Sequence, residues 1–134
     1  MNKHATLLIA LWLTSATAVA ADWIRIEVPD PATIAAGETY FVDPEISYAG
    51  KWPAIHTLRN LRETNARGHA SDSMVCEVDC RQQLIRAVGG AFYAGPMGKN
   101  PVDPLNVKTP WIRPAAGSAL DRVLDYACSK QPKQ

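Results

Sequence analysis

Cys76, Cys80 and Cys128 are the residues of this 134-residue chain best suited to chemistry, and the chemistry their spacing offers is a disulfide. In the run from Met74 to Cys80, Met74, Cys76, Val78 and Cys80 share one side and Val75, Glu77 and Asp79 the other, which predicts a strand with an apolar inner face. Residues four apart in a strand lie roughly 13 Å apart, so Cys76 and Cys80 cannot bridge while both stay extended. One of them must take Cys128, and the other is left a free thiol. Parity points both inward, so geometry leaves the choice open. The strand-end position of Cys80, where the backbone adjusts more easily, favours it. Closing a loop of about 50 residues stabilises a fold by about 4 kcal/mol in the chain-entropy account.

Other reactive residue types lack the spacing that chemistry needs. His69, Ser71 and Asp72 are the residue types of a hydrolase triad, yet neighbours on one loop rarely converge on an oxyanion hole, and no nucleophile elbow is present. His56 and His69, the histidines beyond the leader, are too few for a zinc site, which takes three or four ligands. Gly95-Pro96-Met97-Gly98-Lys99-Asn100 has neither the glycine spacing nor the Ser or Thr after lysine of a phosphate loop, and reads as a turn. No catalytic residue, no metal site and no cofactor is expected. Arg59, Arg62 and Arg67, with His69 and against the single acid Glu63, form a mildly basic segment that is the weak candidate for meeting a partner. Trp23, Trp52, Trp111, Tyr40, Tyr93 and Tyr126 could anchor an interface or fill a small core, with core the expectation for Trp23 and Trp111.

These residues need a scaffold, and the chain spells out a small one. Ile24, Ile26 and Val28 make one face of a first strand, ended by Pro29-Asp30-Pro31. Glu38 to Val42 and Ala54 to Leu61 are two more extended segments, and residues 62–73 are polar and expected as a surface loop. The strand from Met74 to Cys80 turns at Arg81-Gln82-Gln83 into another, Leu84 to Val88, continued by Ala91-Phe92-Tyr93. The proline-rich stretch from Gly95 to Pro110 predicts a long irregular connection, with a short strand at Trp111-Ile112-Arg113. Leu120, Val123, Leu124, Ala127 and Cys128 then keep the spacing of one buried helix face. Ser118 and Asp121 are placed as a capping box and Pro132 as the stop. The expected fold is α+β, a small antiparallel meander with a C-terminal helix on one face.

Compartment and partner class follow from the N-terminus and the charge. Lys3, the apolar run from Ala5 to Leu13 and Ala18-Val19-Ala20 predict a secretory signal over residues 1–20, cleaved before Ala21, with one domain over 21–134. The apolar run is about half of the roughly 20 residues a membrane span needs, so no membrane anchor is expected after its removal. The first cysteine is Cys76, so the chain is not read as a lipoprotein. Loss of Lys3 brings the mature chain to 13 bases against 13 acids, which argues against nucleic acid as a partner.

The order of short motifs carries a resemblance. Asp22-Trp23 opens, Phe41-Val42-Asp43-Pro44 and Glu77-Val78-Asp79-Cys80 follow, then Tyr93, then Trp111-Ile112-Arg113-Pro114 and a helix ending Tyr126-Ala127-Cys128. This order is similar to that of the surface-adhesin protein E family of Gram-negative bacteria. The resemblance implies a sheet and helix tethered by a disulfide between Cys80 and Cys128, with Cys76 free. It further implies a non-catalytic periplasmic or secreted domain that binds host matrix or plasma proteins, and exposed sheet edges would allow a homodimer. The alternative is a periplasmic accessory or inhibitor protein with a bacterial partner.

Overall fold

Where apolar and polar residues alternate, the chain forms the strands of one sheet. In the computed structural model, which describes residues 22–131, these are β1 (Ile24–Ile26), β2 (Thr39–Val42), β3 (Ala54–Asn60), β4 (Ser71–Asp79), β5 (Leu84–Tyr93) and β6 (Pro101–Pro104). Each pairs antiparallel with the next, so the sheet runs β1 to β6 in sequence order. Two helices complete the fold: α1 (Pro31–Ala36) and α2 (Ala119–Ser129). The expected leader at residues 1–20 and the stop at Pro132 lie outside the described residues.

Helix α2 packs on one face of the sheet. Its Val123, Leu124 and Ala127 close over Val42, Ile55, Cys76, Val78, Ile85 and Ala87, and together these form the core. Cys80, the first residue after β4, is bonded to Cys128 on the last turn of α2, with Cα atoms 5.5 Å apart, inside the range a disulfide accepts. Cys76 is a free thiol with no exposed surface. The inward parity assigned to Cys76, Val78 and Cys80 therefore holds, and the strand-end cysteine makes the bridge.

Several local expectations are corrected. Pro29-Asp30-Pro31, expected only as the break after the first strand, also starts a helix, α1: the Asp30 carboxylate accepts from the Thr33 amide at 3.0 Å, Pro31 occupies the first turn, and Gly37 closes it at φ 67°. Strand β4 starts at Ser71, inside the stretch expected as a loop. The proline-rich connection contains a 3-10 turn at Pro96–Gly98 and the edge strand β6. Trp111 to Arg113 makes only a single bridge, Ile112 to Ile85. Ser118 caps α2 by accepting from the Asp121 amide at 3.3 Å, but Asp121 reaches back to the Gly117 amide at 2.8 Å instead of that of Ser118. Trp23 and Trp111 are half-buried at the margins, and the core is aliphatic, because a helix laid on a tight sheet leaves room for branched side chains and not for indoles.

Candidate functional site: a groove beside the helix

Helix α2 covers only part of the face it packs on. Past it, the register aligns Ile26, Tyr40, Arg59, Asp72, Phe92 and Asp103 as one row of cross-strand neighbours spanning all six strands. The adjacent row runs Val42, Thr57, Met74 and Gly90. Gly90 contributes no side chain, and a Cβ there would collide with the Ser73 carbonyl, so β4 and β5 approach closely at this point. The segment after β6 runs beside β5, fixed by the Leu105 amide on the Gly90 carbonyl at 3.0 Å and the Thr109 amide on the Ala87 carbonyl at 2.9 Å. Its Leu105 and Val107 close the space into a groove of about 370 Å³ with Tyr40, Thr57, Arg59, Asp72, Met74 and Phe92. That volume is at the small end of ligand sites.

At the polar end of the groove Asp72 pairs with Arg59, and Glu38, outside the groove lining, meets the same guanidinium. Arg59 donates Nε to Asp72 Oδ2 at 3.0 Å, its Nη2 goes to the same oxygen, and Nη1 reaches Glu38 Oε1 at 3.5 Å. Burial works against the Arg59 charge, yet the bonds and field of Asp72 with Glu38 more than offset it and hold the guanidinium above its usual range. Tyr40 donates its hydroxyl to Glu38 Oε2 at 3.0 Å. Burial first, then that bond and the Glu38 charge, push Tyr40 up to about 12. Asp72 is 8% exposed, and its Oδ1 takes no hydrogen bond from a described residue. At the far end His69, 4% exposed, stacks on Phe92 with ring centroids 4.4 Å apart and meets Asp103 Oδ2 at 3.1 Å.

The three arginines singled out in the sequence do not form one patch. Arg59 lies in β3 within the groove, already paired, whereas Arg62 and Arg67 are exposed on the following loop. The Arg62 guanidinium lies against Gly37, where an added Cβ would meet it, and lines a separate hollow with Glu38 and Glu63. Glu38, just before β2, and Asp72 on β4 went unnoticed as partners of Arg59 because they stand 34 residues apart in sequence, and only the sheet brings them to one guanidinium.

The triad residue types are drawn apart. Ser71 and Asp72 point to opposite faces by strand parity, His69 bonds Asp103, and Ser71 bonds the Gly95 carbonyl at 2.7 Å and the Gly98 amide at 3.1 Å. The Pro96–Gly98 turn is thus docked on the face opposite α2 by Ser71 and by Asn60, which accepts from the Met97 amide at 2.8 Å. His56 is exposed on β3. Among the described residues no group of three or more His, Cys, Asp or Glu is placed to hold a metal ion. On the face opposite α2, Trp111 forms a T-shaped pair with Trp52, ring centroids 5.0 Å apart, and the Arg86 guanidinium lies over the Trp111 ring at 4.4 Å, with Arg86 paired to Glu77.

The family model of surface-adhesin protein E matches residues 23–129, from the residue before β1 to the last residue of α2. No curated protein and no solved structure matches the chain. The matched span includes all six strands, both helices and both bridged cysteines. The chain therefore belongs to the surface-adhesin protein E family.

Proposed function

We propose that this domain works outside the cytoplasm by binding a protein, and that its partner is a host extracellular-matrix or plasma protein. The observation that supports the reading is the family match across the entire fold. Consistent with it, the polar side chains that resemble catalytic types are spent on structure: Ser71 on a turn, His69 on Asp103, Asp72 on Arg59. The reading is of a non-catalytic domain that needs no cofactor. Among the described residues no helix is long and apolar enough to cross a membrane. Self-association through the free edge at β1 belongs to the same proposal.

The purified protein passed at physiological salt over immobilised vitronectin, laminin and plasminogen should show saturable retention on at least one of them. Absence of retention on all three would overturn the host-partner reading. Specific capture of a periplasmic protein of the producing cell would replace it with an envelope accessory role.

A further inference from the structure

The outer edge of β1 carries a charge pattern complementary to itself. The Asp43 amide donates to the His56 carbonyl at 2.9 Å and continues the β2–β3 register, so Thr39, Phe41 and Asp43 turn their backbone groups to β3. Tyr40 and Val42, between them, turn theirs to Ile26 and Ile24 of β1. Arg25 therefore points its amide and carbonyl away from the sheet, and the same alternation carried one step past β1 gives Glu27. Among the described residues no further backbone bond reaches residues 22–28, and neither Arg25 nor Glu27, both exposed, makes an ion pair. A second β1 laid antiparallel on this edge also bonds through Arg25 and Glu27, which leaves few registers. Arg25 opposite Arg25 sets like charges together, and Glu27 opposite Glu27 does the same while bringing Arg25 against Pro29, which has no donor. Arg25 opposite Trp23 leaves both charges without an opposite partner. Arg25 opposite Glu27 sets opposite charges together, twice about the axis.

We infer that a second copy of the chain adds its β1 to this edge in one register: Ile26 against Ile26 at a two-fold axis, Arg25 against Glu27 on either side of it, and Ile24 against Val28. The inference rests on the self-association reading above and supplies its register. Arg25 and Glu27 of opposite copies exchange both backbone bonds, and Ile24, 42% exposed, gains cover from Val28. The charged side chains meet on the side of Phe41, opposite α2, and the apolar ones on the side of Val42 and the core. Such an axis stands perpendicular to the sheet, so both α2 helices lie on one side of a continuous sheet and both uncovered faces on the other.

Charge exchange read by sedimentation equilibrium at low salt tests the register. Arg25→Glu and Glu27→Arg each set like charges opposite one another twice, and each alone should weaken the dimer by about tenfold or more. Arg25→Glu combined with Glu27→Arg exchanges the signs and should restore the parent dissociation constant. An equimolar mixture of the two single variants should form a heterodimer, because each then meets its opposite. Restoration and mixing are results that misfolding cannot give. A dimer that neither single variant weakens, or that the combined variant fails to restore, would overturn the register while self-association stood. A parent that stays monomeric at about 100 µM would overturn both. Retention on matrix proteins is read separately, so the adhesin reading stands or falls apart from either result.

Discussion

At the scale of single residues, Cys76 and Cys80 show how position along a strand decides chemistry. Cys80 follows directly on β4 and reaches α2, whereas Cys76 sits mid-strand within the core that Val123 and Leu124 share, with no exposed surface. Burial alone pushes the Cys76 thiol up to about 12, so the reactive thiolate is scarce at neutral pH. Native protein should resist thiol-specific reagents at neutral pH and react once unfolded. Rapid labelling of the native state would show that the strand opens. The same burial has a consequence for stability in alkali. The unfolded chain releases this proton from about pH 9, and the folded chain holds it until about 12. The unfolded state binds fewer protons in that window, so the stability present below pH 9 is lost as pH rises through about 12. Cys76→Ala should flatten the decline when urea unfolding is compared at neutral pH and at about pH 11, and an unchanged slope would assign the decline elsewhere. Tyr40 acts in the same direction over a narrower window, from about 10 to about 12, which makes Tyr40→Phe the matching control. Cys76 was legible as an inward-facing thiol from parity alone, while Glu38 and Asp72 were not legible as a pair. A charged residue announces its type in the sequence but not its cross-strand partner.

At the scale of elements, what survived from sequence to structure was whatever repeats. Helix α2 carries five inward residues at helical spacing with a serine cap, and β4 alternates cleanly from Met74 to Cys80. The elements missed, α1 and β6, contain prolines that read as breakers. At α1 the proline sits in the first turn, where its missing donor has no partner to lose, and at β6 the prolines lie on a sheet edge. Two predictions belong here. Replacing Cys128 with alanine should cost about 4 kcal/mol and lower Tm by roughly 15 °C, measured by thermal unfolding with and without reductant. Reductant should shift the parent and leave the variant unmoved. Gly90 stands one strand pair beyond the bulge at Val75 and Cys76, where β4 and β5 press together. Gly90→Ala should destabilise by about 2 kcal/mol, seen as a lower urea midpoint, because the added methyl group must displace the Ser73 carbonyl. A neutral result would show that the strands can part there without loss.

At the scale of the whole molecule, a meander in sequence order must end in two open edges, and this chain treats them differently. Strand β6 has prolines at two of its four positions, which removes half of its amide donors and blunts it against another strand. Strand β1 has none. Ile24, Arg25 and Ile26 pair with β2 on one side, and among the described residues no backbone hydrogen bond engages the other. Ile24 is also 42% exposed, an apolar side chain beside an unpaired backbone. An antiparallel strand added there satisfies donors and acceptors together, and a second copy of β1 about a two-fold axis supplies one of matched length. The order of the meander was legible, since alternating runs joined by short turns favour neighbours in sequence, but which edge stays open depends on where the proline-rich connection folds back. A three-residue edge is short, so pairing should be weak and concentration-dependent. Sedimentation equilibrium should show a reversible dimer in the parent. Ile24→Lys, which sets a charge at the β1 edge, should return it to monomer, and Val102→Lys on β6 should leave the equilibrium unchanged. A parent that stays monomeric at about 100 µM, or a loss of dimer with Val102→Lys alone, would place the association elsewhere or remove it.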